Sequence, residues 1–253
     1  MSLPAVARGP AADRFPPGLN LRLADLLVTV LITVGGVALL FGALLVAARV
    51  ERPLIRANAE VALMLLLALI YAVFAGGIVV GLRRVREPAR MLGLRWPTPA
   101  TSVVIVAGLV PWFTAEGIIA WTLGLIANHG RPLPSNTREL FVQRPHGLGV
   151  LILALLVTAV MAPVCEEIFF RGMLYRYLRA HWPVWAAVLG SASLFGLAHF
   201  SGLDRLALWP VFTFMGIVLA LLYEWTGSLG NTILLHSLNN AILTVLAFSA
   251  LSS

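Results

Sequence analysis

Long apolar runs separated by short polar connections dominate this chain. A helix of about 20 apolar residues crosses the roughly 30 Å hydrocarbon core of a bilayer. The pattern predicts seven such helices, near residues 25–48, 61–82, 101–127, 147–168, 183–200, 206–224 and 230–250. Pro111 and Glu116 interrupt the third run, so a kink or a re-entrant pair, which would change the count, is also compatible with it. We therefore predict an all-α polytopic membrane protein, a bundle of about seven to eight transmembrane helices.

The polar segments divide the chain into four parts. Residues 1–24 contain four prolines and scattered charges and predict an N-terminal tail. Residues 25–128 form the N-terminal transmembrane helices, and residues 146–253 form a C-terminal helix bundle. Between them, residues 129–145 are the longest polar connection in the second half and the best candidate for a boundary.

Composition supports the membrane assignment. Of the 253 residues, 60% are hydrophobic and 11% are charged, and the mean hydropathy is +0.92. These values exclude a cytosolic enzyme, a disordered chain and a nucleic-acid binder, because the basic residues are too sparse to follow a phosphate backbone. Cys165 is the single cysteine and cannot form an internal disulfide.

The arginines indicate an orientation. All 18 basic residues are arginine, and they lie mainly between the apolar runs. Assigning the connections to alternate sides places 11 arginines on the side of the N-terminus and 7 on the other. Because cytoplasmic connections are rich in positive charge, we expect the N-terminus inside, in a bacterial cytoplasmic membrane.

Ionisable groups enter the apolar runs in the last third of the chain. Such groups are costly in hydrocarbon, so they indicate a functional site. Glu166 and Glu167 are adjacent, and Arg171 follows Glu167 by four residues. On a helix Glu167 and Arg171 share a face, whereas Glu166 is rotated about 100° away. We expect Glu167 to be paired and Glu166 to be free; a helix end at the membrane interface is the alternative interpretation.

Two further pairs have helical spacing. Phe195 and His199 are four residues apart on the fifth run, and His236 and Asn240 are four apart on the seventh. A lone histidine inside a membrane is more often a hydrogen-bonded packing group than a catalytic one. The presence of Glu166 in the same region favours a catalytic role, with Phe195 packing beside the imidazole.

These three patterns in this order, E-E-x-x-x-R, F-x-x-x-H and H-x-x-x-N, resemble the CAAX protease and bacteriocin-processing (CPBP, Abi) family of intramembrane glutamate endopeptidases. The resemblance covers residues 146–250. It implies that Glu166 and His199 activate a water, and that His236 and Asn240 hold the oxyanion. Glu167 and Arg171 are expected to support the site, which requires no metal and no cofactor.

The expected partners are a peptide or protein substrate, reached in or at the membrane, and the lipid bilayer; no nucleic acid is expected. If the helix of Glu166 continues to about residue 180, Glu166 and His199 lie roughly 22 and 27 Å from the turn that follows and can face each other. The arginine bias predicts that the site opens towards the cytoplasmic half, with the segment 171–179 projecting into water.

Other intramembrane proteases lack support in the sequence. No H-E-x-x-H or G-x-S-x-G pattern occurs, and Asp13, Asp25 and Asp204 lie at or outside the ends of the apolar runs.

Two alternatives remain open. Glu166, His199 and His236 could bind a catalytic zinc ion, although no ligand pair has the usual local spacing. The other alternative is a non-catalytic membrane protein, either an immunity or scaffold protein or a transporter. The complete catalytic set argues against an immunity or scaffold protein. The absence of paired discontinuous helices argues against a transporter. Glu116 is interpreted as a polar contact between helices.

Overall fold

The structure is a computed structural model that describes residues 21–50, 59–127, 129–131, 133, 141, 147–199 and 203–252. Within these ranges the chain is helical and contains no strand. The helices are α1 (Leu23–Val50), α2 (Ala59–Gly81), α3 (Pro88–Met91), α4 (Pro99–Ala127), α5 (Leu148–His181), α6 (Val184–Ala198), a 3-10 helix (Leu203–Leu208), α7 (Trp209–Thr226) and α8 (Leu229–Ser252). Residues 1–20 of the predicted tail and most of the connection 129–145 lie outside the described residues.

Six of these helices, α1, α2, α4, α5, α7 and α8, are long and apolar enough to cross a membrane. The prediction of an all-α integral membrane protein is therefore confirmed. The fifth predicted run, 183–200, forms a helix of only 15 residues, α6, about 22 Å long at 1.5 Å per residue. The third predicted run is one unbroken helix, α4, with Pro111 inside it, and not a re-entrant pair.

Helix α5 is the central element of the fold and runs 34 residues, well beyond the predicted end at residue 168. Two π-helical stretches, Leu156–Met161 and Ile168–Tyr175, flank the α-helical stretch Ala162–Glu167. Wide turns of this kind are rare in helices and occur frequently at functional sites. Pro163, which has no backbone N–H, lies between the two stretches.

The other helices pack in pairs around α5. Helices α1 and α2 form one antiparallel pair, and α6 and α7 form another. Helix α5 contacts α2, α6, α7 and α8, and α8 also contacts α4 and α7. Gly216 permits the close crossing of α7 over α6, because a Cβ at this position would lie only 2.7 Å from Cα of Ala192.

Three polar connections meet at one end of the bundle, which we call the arginine-rich end: residues 82–98, 182–183 and 227–228. The backbone N–H of Leu229 donates to the carbonyl of Gly93 at 2.9 Å, and the Arg176 guanidinium donates to the carbonyl of Met91 at 2.9 Å. Sequence analysis assigned these three connections to the same side, and the structure places them together.

The first half of segment 171–179 does not project into water as predicted. Arg171 is 1% exposed and Tyr175 is fully buried. The connection 82–98 packs over this part of α5, and its Leu92 carbonyl accepts a 2.8 Å hydrogen bond from the Tyr223 hydroxyl. Protein therefore encloses Arg171 and Tyr175, whereas the Arg179 side chain, closer to the end of α5, is 31% exposed.

Candidate active site

Glu166 lies on α5 and faces two imidazoles. Its Oε2 atom is 3.7 Å from Nε2 of His199 and 3.8 Å from Nε2 of His236. Oε2 is buried and has no hydrogen-bond partner among the described residues. Helices α5, α6 and α8 thus bring together one carboxylate and two histidines that are distant in sequence.

Glu167, rotated away from Glu166 on the helix, is buried in a polar cluster. Its Oε1 accepts a 2.8 Å hydrogen bond from Arg171 Nη1 and lies 2.8 Å from Nδ1 of His236. The Arg171 guanidinium also donates to the carbonyl of Gly216 on α7 at 3.2 Å. Because a carboxylate only accepts, Nδ1 of His236 carries the hydrogen, and Nε2 is directed towards Glu166.

His199 follows the last residue of α6, where the helix ends. Its Nδ1 lies 2.8 Å from the Phe195 carbonyl, so this nitrogen carries the hydrogen and Nε2 of the neutral ring holds a lone pair. The imidazole stacks on Phe212 with ring centroids 4.3 Å apart and lies 4.6 Å from the ring of Phe195. These contacts fix both the orientation of the ring and its tautomer.

Phe195 connects the histidine to the buried cluster. It is fully buried, and the Arg171 guanidinium carbon lies 4.5 Å from its ring centroid. A cation over an aromatic face is attracted by the ring's negative potential. Phe195 therefore packs between the guanidinium and the His199 ring.

Asn240 is held by the irregular backbone of α5. Its Nδ2 donates to the carbonyl of Thr158 at 2.8 Å. In the π-helical stretch the N–H of Ala162 bonds to Val157, five residues earlier. By the same register the Thr158 carbonyl would accept from residue 163, which is proline and has no N–H. Asn240 therefore donates to the carbonyl that Pro163 leaves without a helical donor. The second N–H of the Asn240 amide takes no part in this hydrogen bond.

A cavity of about 850 Å³ contains these groups. Glu166, His199, His236 and Asn240 all line it. From there it extends along α4 to Gly124, Leu125, Gly130 and Arg131, at the end of the bundle opposite the arginine-rich end. No residue of the connection 82–98 or of segment 171–182 lines it. The predicted opening towards the arginine-rich end is therefore wrong, because the packed end of α5 closes that side.

Known proteins match the part of the chain that carries the site. Residues 148–242 match a family described as type II CAAX prenyl endopeptidase Rce1-like. This region of the chain is similar to the Rce1-like family over its whole matched length. The match confirms the resemblance to the CPBP family drawn from the three motifs.

Two bacterial relatives are similar to the chain. An uncharacterized 24.3 kDa protein of Escherichia coli is 27% identical over 148 residues, which are 56% of this chain and 66% of the relative. The uncharacterized protein YpbD of Bacillus subtilis (strain 168) is 31% identical over 107 residues, 42% of this chain and 48% of the relative. The chain thus spans slightly under two thirds of the first relative and about half of the second. No solved structure matches the chain.

Two contacts to the site come from helices before the Rce1-like region, and sequence analysis missed both. The Tyr71 hydroxyl on α2 donates to Glu166 Oε1 at 2.6 Å. Trp112 Nε1 on α4 donates to Asn239 Oδ1 at 3.0 Å. In the sequence, Tyr71 and Trp112 are recognisable only as side chains with one polar atom inside an apolar run. Sequence spacing cannot connect them to residues that lie 95 and 127 positions away.

Trp112 fixes the orientation of two neighbouring amides. Because an indole N–H only donates, the Asn239 atom that it contacts must be the oxygen. The Asn239 Nδ2 then donates to Asn240 Oδ1 at 3.2 Å. The Asn240 amide is thereby turned so that its Nδ2 faces Thr158. A residue of the first half of the chain thus determines which way an amide of the Rce1-like region points.

We predicted an interhelical contact for Glu116, but the hydrogen bond that it makes with the described residues lies within its own helix. Its Oε2 accepts a 3.1 Å hydrogen bond from Trp112 in its own helix, and the side chain lines the cavity. In the described part of the chain, no group of three or more His, Cys, Asp or Glu side chains is placed to hold a metal ion.

We predict that Arg171→Met strongly destabilises the protein. The substitution leaves the buried Glu167 carboxylate without its cationic partner, with His236 and Thr232 as remaining polar contacts, and breaking a buried ion pair costs about 3–5 kcal/mol. The measurement is denaturant unfolding of the purified protein in detergent. Glu167→Gln combined with Arg171→Met should recover part of the loss, because no unpaired charge then remains.

The matched control is Arg90→Met. Arg90 pairs with Glu87 at 3.3 Å, but their side chains are 80% and 68% exposed, and such a pair contributes only about 0–1 kcal/mol. Unfolding of Arg171→Met at the same denaturant concentration as Arg90→Met would contradict the importance of the buried pair.

Proposed function

We propose that this protein is a membrane-embedded endopeptidase that hydrolyses a peptide bond with a water activated by Glu166 and His199. The observation that carries the proposal is the unpartnered Glu166 Oε2, 3.7 Å from His199 Nε2 on the wall of the cavity. The match of residues 148–242 to the Rce1-like family supports peptidase chemistry in general.

The geometry suits a general base. A water can lie within hydrogen-bond distance, about 2.8 Å, of two acceptors that are 3.7 Å apart. Glu166 Oε2 and the lone pair on His199 Nε2 both accept from it, so its oxygen lone pair is directed at a substrate carbonyl carbon. One water proton passes to Glu166 as the C–O bond forms. The same proton then reaches the amine nitrogen as the C–N bond breaks.

The oxygen that becomes negative requires hydrogen-bond donors. His236 supplies one through Nε2 when both ring nitrogens carry hydrogen, and the Glu167 carboxylate at Nδ1 holds the ring in this orientation. The second N–H of Asn240 Nδ2 supplies the other. The two residues are one turn apart on α8, so both donors reach the same region of the cavity.

The substrate proposed here is a peptide or a segment of a membrane protein. A cavity of about 850 Å³ accommodates several residues of extended chain, and apolar side chains such as Leu67, Trp121 and Phe212 line it beside the polar groups. Both relatives are bacterial, which supports the bacterial cytoplasmic membrane as the location. With the arginine-rich end and the N-terminus inside, substrate reaches the site from the opposite half of the membrane.

We predict that Glu166→Gln and His199→Ala each lower cleavage by about 10²- to 10⁴-fold, because each removes one acceptor for the attacking water. Peptide profiling of membranes from cells with wild-type protein or Glu166→Ala identifies a substrate. Turnover of that substrate by purified variants is the measurement. Glu87→Gln and His181→Ala are the controls, because both residues are exposed and outside the cavity. Wild-type turnover by Glu166→Gln would refute the proposal.

We predict that activity persists after exhaustive chelation, because the carboxylate and imidazole polarise the water without a Lewis acid. Turnover before and after dialysis against a chelator, with elemental analysis of the purified protein, measures this. One tightly held zinc ion per chain, with activity lost on its removal and restored on its return, would favour the zinc protease.

We predict that the connection 82–98 faces the cytoplasm and that the start of α5 faces the other side. Arg84→Cys and Gly147→Cys, both at exposed positions, are introduced separately into a Cys165→Ser background. A membrane-impermeant maleimide should label the Gly147 variant in intact cells, and the Arg84 variant only in inverted vesicles. Labelling of the Arg84 variant in intact cells would reverse both the orientation and the side of substrate entry.

A further inference from the structure

Tyr71 makes a short hydrogen bond to the candidate base, Glu166. Its hydroxyl donates to Glu166 Oε1 at 2.6 Å, and a bond from a neutral hydroxyl to a carboxylate at this distance is a strong, charge-assisted one. The side chain also lines the cavity. Helix α2, which carries Tyr71, lies outside the Rce1-like region, residues 148–242.

A second contact fixes the register of α2 against α5. The thiol of Cys165, the residue before Glu166, donates to the backbone carbonyl of Tyr71 at 3.7 Å. Phe74, almost one turn further along α2, packs against Phe169 of α5 with ring centroids 5.5 Å apart. The hydroxyl is therefore held opposite Glu166 by packing on both sides and does not depend on the hydrogen bond alone.

The hydrogen bond sets the orientation of the Glu166 carboxylate plane, because it holds one of the two equivalent oxygens. Oε1 is engaged by Tyr71, so Oε2 is the oxygen that lies 3.7 and 3.8 Å from the two imidazole Nε2 atoms. Without the hydroxyl, rotation about the last side-chain bond of a glutamate is nearly free, since such terminal torsions are broad. The carboxylate would then spend much of its time turned away from His199.

We propose that Tyr71 is a positioning residue that locks the Glu166 carboxylate with Oε2 directed at His199 and His236. The proposal rests on the function of Glu166 as general base. It gives the N-terminal half of the chain a part in the reaction beyond holding the bundle together. A purely structural tyrosine would stabilise the α2–α5 contact and leave the chemical step unchanged.

The experiment compares Tyr71→Phe with Tyr175→Phe. The Tyr175 hydroxyl donates to Glu224 Oε2 at 2.7 Å, so both substitutions remove one hydroxyl from a short tyrosine–carboxylate hydrogen bond and keep the ring. Tyr175 does not line the cavity. Turnover number, KM and the midpoint of thermal unfolding are measured for both variants and for the wild type, on the substrate identified by peptide profiling.

We expect kcat of Tyr71→Phe to fall by about 10- to 100-fold, with KM within about twofold of wild type. Its unfolding midpoint should match that of Tyr175→Phe, which keeps the wild-type kcat. Unchanged kcat in Tyr71→Phe, or a lower unfolding midpoint without a change in kcat, would overturn the positioning role. If Tyr71→Phe keeps its kcat while Glu166→Gln is inactive in the same assay, the positioning role fails and the proposed function stands. A fully active Glu166→Gln would refute both the positioning role and the proposed function.

Discussion

The buried charge of the Glu167 carboxylate requires partners, and this requirement organises the site. An ionised group cannot remain in a low-dielectric interior unless it is paired and hydrogen-bonded. Arg171 pairs with it from the next turn of α5, and His236 contacts the same oxygen from α8. The guanidinium reaches on to the Gly216 carbonyl of α7. Three helices therefore have to meet at this point, and their meeting sets the positions of the groups around Glu166.

That arrangement separates two adjacent acids. The charge of Glu167 is compensated by its partners, whereas Glu166 has one oxygen held by Tyr71 and the other directed at two imidazoles. Adjacent residues on a helix point about 100° apart, so one carboxylate lies in the packed cluster and the other lines the cavity. The chain thus places a structural carboxylate next to a candidate catalytic one, and His236 faces both of them through different ring nitrogens.

The irregular backbone of α5 contributes a second constraint. Pro163 leaves the Thr158 carbonyl without a helical donor, and in the interior of a membrane protein a free acceptor is costly. Asn240 supplies the donor, which fixes α8 against α5 at the level of the site. Trp112 then sets the direction of the neighbouring amide from α4. The cavity lies between these helices and the end of α6, so its walls come from both halves of the chain.

The sequence by itself determined the features that depend on neighbours along one helix. The length of the apolar runs established an integral membrane bundle, and spacing of four residues predicted which side chains share a face, as with Glu167 and Arg171. It did not reveal that the apolar run 183–200 forms a helix of only 15 residues, α6, because an apolar run does not show where a helix inside it begins and ends.

Contacts between helices were decided only by the tertiary structure. Tyr71 and Trp112 reach the site across 95 and 127 residues of chain, and no local periodicity relates such positions. The direction of the cavity also depended on packing: the connection 82–98 seals the end of α5 that its charges suggested would stand in water. A charge in the sequence predicts a need for compensation, but only the fold determines whether water or another side chain provides it.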